Sequence, residues 1–193
     1  MVTHIVMVKV TLLIYFSIFI LAVPLSPHHP PALLSYYLQD CEASLVIATQ
    51  NQKNLLNKVV ENTGVATLML EEEECKSGNQ TLNELEAMPA YSLFTKYVKP
   101  IDYYSNKNAM ILYTSGTTGK PKGVLLSHEN IDVQVRMLID MWKWSSKDVI
   151  VHALPLHHTH GVVNALLCPL YIGARFVLLS ALLIERIMQR ILF

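Results

Sequence analysis

Tyr113-Thr114-Ser115-Gly116-Thr117-Thr118-Gly119-Lys120-Pro121-Lys122-Gly123 lies between two short apolar runs, Ala109-Met110-Ile111-Leu112 before it and Val124-Leu125-Leu126 after it. The flanking runs have the length and composition of buried strands, so the residues between them form a connecting loop. Its glycines let backbone N–H groups turn toward an anion, its hydroxyl side chains add donors, and Lys120 and Lys122 supply positive charge. A polyphosphate needs that combination, and nucleotide binding is the direct inference. The spacing differs from the common NTPase loop, G-x-x-x-x-G-K-[ST]. Here two residues separate Gly116 from Gly119, and Pro121 stands where that loop has its magnesium-binding hydroxyl. The bland alternative is a Ser/Thr/Gly-rich hairpin loop with no ligand.

Outward from this loop the chain alternates between strand and helix patterns. Residues 123–126 predict a strand, Ser127 a helix N-cap, and Ile131, Val135, Leu138 and Trp142 recur at helical spacing. A strand is expected over 148–154, stopped by Pro155, then a helix over 161–171 and a strand over 175–179. Upstream, prolines from 24 to 31 interrupt regular structure, and helices are expected over 32–40 and 52–60, with strands over 45–48 and 66–70. The alternation predicts an α/β fold with mostly parallel strands and flanking helices. Residues 71–108, opening on four glutamates, read as an exposed acidic loop.

Composition narrows the function. The chain has 193 residues, 52% hydrophobic and 16% charged, with 15 basic side chains against 15 acidic. That balance, with no basic stripe, argues against nucleic-acid binding. Cys41, Cys75 and Cys168 stand far apart and match neither a disulfide framework nor a zinc knuckle. Residues 10–23 are uncharged, short of the roughly 20 apolar residues that a membrane span needs. They suit either a core segment or a signal or anchor, so membrane attachment through them stays open.

YTSGTTGKPKGV, residues 113–124, resembles the phosphate-binding signature of the adenylate-forming superfamily, the AMP-dependent synthetases and ligases. Members activate a carboxylate with ATP to an acyl-adenylate, release pyrophosphate, and pass the acyl group to a thiol. The resemblance implies that Thr114, Ser115, Gly116, Thr117, Thr118 and Gly119 wrap the β- and γ-phosphates and that Lys122 adds charge. A second block, Leu154-Pro155-Leu156-His157-His158-Thr159-His160-Gly161, matches the superfamily's Pro-x-x-His element at Pro155 and His158. Its His-x-His-Gly form resembles the branch that activates malonate or methylmalonate. The resemblance implies that His158 and His160 face the acyl substrate, with ATP, Mg2+ and coenzyme A as cofactors and a mitochondrial location.

The chemistry agrees with that implication. A dicarboxylic acid keeps one carboxylate ionised while the other is adenylated, and imidazoles can hydrogen-bond the spare charge. An extended 157–160 would put His158 and His160 on one side and His157 on the other. Two alternatives remain. His152, His157, His158 and His160 could form a metal cluster, although neither a cysteine nor a nearby carboxylate completes a zinc set, or each could be a packing or capping histidine.

The resemblance covers 24–179, with 1–23 as a hydrophobic segment and 180–193 as an unrelated helical tail. The superfamily's Tyr-Gly-x-Thr-Glu block, ribose-binding Asp, hinge and C-terminal domain with its catalytic lysine do not occur in it. The expectation is therefore a truncated or mis-assembled ligase, inactive alone and with no complete catalytic set. A noncatalytic, membrane-tethered or regulatory fragment retaining a phosphate loop is the alternative.

Overall fold

Leu21, Ala22 and Val23 leave no polar side for solvent, which suits a strand covered on both faces. In the computed structural model they form the buried middle of β2 (Ile20–Pro24). The structure describes residues 3–7, 20–61, 63–70, 103–104, 106–114 and 119–178. They belong to two compact units, Met1–Ser127 and His128–Phe193, each with its own sheet.

The first unit holds β1 (Thr3–Met7), β2, α1 (Pro31–Asp40), β3 (Leu45–Thr49), α2 (Lys53–Val60), β4 (Ala66–Leu70), β5 (Asn108–Thr114) and β6 (Lys122–Ser127). Its sheet runs β4-β3-β1-β2-β5-β6. The pairings are parallel except β5 with β6. A parallel neighbour needs a crossover, and α1 and α2 lie in those connections. Pro31 opens α1, where its fixed φ fits and no N–H is required. Leu34, Tyr37 and Leu38 of α1 meet Leu56 and Val59 of α2 over Val46 and Ala48 of β3 and Val23 of β2. That apolar layer is the core.

The second unit holds α3 (His128–Trp142), β7 (Val149–His152), a π-helical segment (His160–Leu167), α4 (Cys168–Tyr171) and β8 (Arg175–Leu178). β7 and β8 pair in parallel. Val135 and Leu138 of α3 are buried, and the Cys168 thiol reaches the Val135 carbonyl at 3.9 Å.

Three helices end in the same way. After α1, α3 and α4 the chain enters the left-handed region at Glu42 (φ 49°), Lys143 (φ 55°) and Gly173 (φ 69°). In each case the following N–H bonds back to a carbonyl of the last turn: Ala43 to Leu38, Trp144 to Ile139, and Ala174 to Pro169. This is the Schellman closure, which usually recruits glycine.

Several expectations change. Pro24 belongs to β2, paired with Met7, and the strand does not stop before it. β7 ends at His152 and does not continue to Leu154. The helix expected over 161–171 begins with π spacing, the Cys168 N–H bonding to Val163 five residues back. Pro169 has no N–H to offer Ala165, so an unbroken α ladder could not run through this turn. The acidic stretch up to residue 102, residues 8–19 and the tail 180–193 lie outside the described residues.

Candidate functional site

Two sets of residues, one in each unit, carry the chemistry read from the sequence. In the first unit, β5 and β6 pair antiparallel, with Thr114 opposite Lys122 and Tyr113 opposite Gly123. Thr114 and Lys122 are therefore strand ends, not loop residues as the sequence suggested, and residues 115–121 connect them. Ser115, Gly116, Thr117 and Thr118 lie outside the described residues. Thr114, Gly119 and Lys122 are exposed, and the Thr114 hydroxyl donates to the Lys122 carbonyl at 3.3 Å. Gly123 is required by crowding, because a Cβ there would come within 2.8 Å of the Ile111 side chain.

The turn is anchored from α1 by residues that the sequence did not single out. The Tyr113 hydroxyl donates to Asp40 Oδ2 at 2.7 Å. The Tyr36 hydroxyl lies 3.0 Å from the Pro121 carbonyl and 3.3 Å from Asp40 Oδ1, with one proton to give between them. The Tyr37 and Tyr113 rings stack at 4.1 Å, and the Lys120 ammonium lies 5.3 Å from the Tyr36 ring. Burial, and next the Asp40 carboxylate beside it, push the Tyr113 phenol well above its ordinary range. The same two causes raise Tyr36. One signal was available: Tyr36 and Asp40 stand four apart on a predicted helix and so share a face. Lys120 and Lys122 are exposed at this end of the hairpin and offer the positive charge that phosphate oxygens attract. The described hydroxyls of Tyr36, Tyr113 and Thr114 are engaged with Asp40 and with backbone carbonyls.

In the second unit the histidine block is a tight loop, so the extended geometry that would separate His157 from His158 and His160 does not occur. The His158 N–H donates to the Pro155 carbonyl at 3.2 Å, and the His158 carbonyl accepts from Gly161 and Val162, both at 3.0 Å. The His157 and His158 rings therefore lie together at 4.2 Å instead of on opposite sides. His158 and His160 are exposed. His152, placed with them in the cluster reading, is fully buried, and its Nε2 lies 2.9 Å from the Gly161 carbonyl. Among the described residues no three His, Cys, Asp or Glu side chains converge as a metal set.

The pattern of the AMP-binding enzyme family matches residues 15–191. The chain belongs to that family of adenylate-forming enzymes. Human mitochondrial malonate–CoA ligase ACSF3 is 43% identical over 171 residues, covering 89% of this chain and 28% of the human protein. The Xenopus laevis counterpart is 40% identical over 173 residues, again 89% of this chain and 28% of that protein. The chain thus spans little more than a quarter of the length of these relatives. In fold it is similar to ATP-bound MatB from Rhodopseudomonas palustris, with a TM-score of 0.67 and 23% identity over 92% of this chain and 35% of that one. A malonyl-CoA ligase solved with methylmalonyl-CoA and AMP gives 0.66 and 25% over 91% and 34%.

Proposed function

We propose that this chain carries the phosphate-binding and acyl-substrate part of an ATP-dependent acid–thiol ligase of the malonate or methylmalonate type. The identity to malonate–CoA ligases across both units carries the reading. The anchored β5–β6 turn in one unit and the histidine loop in the other support it. Thr114, Gly119 and Lys122, with residues 115–118 between them, hold the β- and γ-phosphates of ATP. His158 and His160 receive the carboxylate that is not adenylated. In the reaction, a carboxylate oxygen attacks the α-phosphorus and pyrophosphate leaves; the coenzyme A thiolate then attacks the acyl carbon and AMP leaves. By resemblance residues 24–179 are the synthetase portion, whereas the family match runs further at both ends, over 15–191 and so into the tail from 180. The mitochondrial relatives support the same location for this protein. No helix among the described residues is long and apolar enough to cross a membrane.

Calorimetric titration of the chain with MgATP tests the reading. Lys122→Ala removes one charge-assisted contact, worth about 1.5–3 kcal/mol, and weakens binding roughly tenfold to a hundredfold. Equal affinity in the variant, or no heat in either protein, rejects the phosphate assignment and favours a noncatalytic fragment.

A further inference from the structure

β7 enters the histidine loop at His152 and the π-helical segment leaves it at His160, with Gly161 at the crossing. The two strokes of backbone touch there. A Cβ on Gly161 would lie 2.0 Å from the Pro155 carbonyl oxygen, so the Leu154–Pro155 backbone rests directly on this glycine. One side chain joins the loop's entry to its exit, the His152 imidazole, with Nε2 2.9 Å from the Gly161 carbonyl. A carbonyl oxygen only accepts, so Nε2 carries the proton. Nδ1 is then a bare acceptor, buried, with no partner among the described residues.

A histidine is a costly choice for a fully buried strand end if packing is all it does. Leucine would fill the space without leaving a buried polar atom unsatisfied. Its ring N–H does what leucine cannot. It holds a carbonyl in the first turn of the π-helical segment. Gly161 also donates its N–H to the His158 carbonyl, so the grip on Gly161 passes to His158, and His160 is its chain neighbour.

We propose that His152 is the positioning residue of the histidine loop: through Gly161 it fixes where His158 and His160 stand before a ligand arrives. It touches no substrate. The purpose of the placement rests on the acyl-substrate reading above, whereas the placement itself does not.

The test uses the whole chain as wild type, His152→Gln and His152→Leu. Glutamine carries an N–H to about the reach of Nε2; leucine carries none. Amide exchange at Gly161 and Val162, imidazole 15N spectra, and malonate and acetate titrations followed at the His158 and His160 signals are the readouts, with Val135 and Leu138 amides as the internal standard. The expected wild-type spectrum shows His152 as the Nε2–H tautomer. In His152→Leu, exchange at Gly161 and Val162 rises about tenfold or more relative to the standard, and the malonate response at His158 and His160 falls by a similar factor. His152→Gln restores both to within about twofold. An unchanged loop in His152→Leu overturns the proposal. So does a rise in exchange at the α3 standard equal to that in the loop, because His152 is then a core residue only. If the loop loosens as expected but malonate moves neither histidine signal in wild type, the positioning role stands and the acyl-substrate reading fails.

Discussion

Gly161 is the residue with least room for change. With a Cβ placed 2.0 Å from a backbone oxygen, Gly161→Ala must displace the Leu154–Pro155 segment. The expected cost is about 1–3 kcal/mol or more, read as a lower urea midpoint for the second unit. Tyr113 makes a different prediction, set by pH. Its folded phenol titrates above the ordinary value because burial and then Asp40 oppose the phenolate. A raised folded pKa means that the contribution is complete below the unfolded value of about 10 and is lost as pH rises through the folded value. Denaturation followed from about pH 9 to pH 12 therefore shows stability falling above about pH 10, and Tyr113→Phe flattens that fall. Equal slopes in Tyr113→Phe and wild type would show that the fold does not hold this phenol neutral. The buried thiols give a simpler check: burial raises Cys41 and Cys168 to about 11 each, so both resist alkylation at neutral pH and react once urea unfolds the chain.

At the scale of elements, the three Schellman closures are a natural comparison set. Gly173 occupies its left-handed site with nothing within 4 Å of where a Cβ would stand, so Gly173→Ala loses only the backbone preference, about 1–2 kcal/mol. Glu42 and Lys143 already bear that strain, and neither closure was legible, since the sequence places glycine at only one of the three helix ends. Glu42→Gly relieves strain but loosens the unfolded chain, and thermal melting should shift by no more than a few degrees. A large loss would show that the Glu42 side chain holds the turn. Helix and strand positions were legible wherever one face is buried, as with Leu34, Tyr37 and Leu38 on α1. The π winding of His160–Leu167 was not, because the effect of Pro169 on the turn before it depends on how the rest of the ladder closes.

For the whole molecule, the expected behaviour follows from which contacts the chain holds. It supplies candidate phosphate and acyl contacts and spans little more than a quarter of the length of the malonate–CoA ligases it matches. Positioning and charge stabilisation act together in such reactions, so acid-dependent pyrophosphate release should not exceed that of Lys122→Ala. Release well above that control would show the chain to be competent by itself. Substrate class is better tested in a full-length ligase carrying this histidine loop. There His160→Ala should raise KM for malonate roughly tenfold to a hundredfold more than KM for acetate, the loss of one charged hydrogen bond. Equal losses for both acids would assign His160 to the fold. The family signature was legible because its residues, 113–123, are contiguous along the chain. Its anchors were not, because Asp40 and Tyr36 meet Tyr113 and Pro121 only after the sheet has assembled. That same contrast has a consequence in time. β5 and β6 are the one antiparallel pairing among the described strands and are joined by residues 115–121, so they can zip as a hairpin within about 1–10 μs. The pairing of Ala22 with Met110 must first close a far longer stretch of chain. A refolding chain can thus form the β5–β6 pairing early and gain its Tyr36 and Asp40 contacts only when α1 docks.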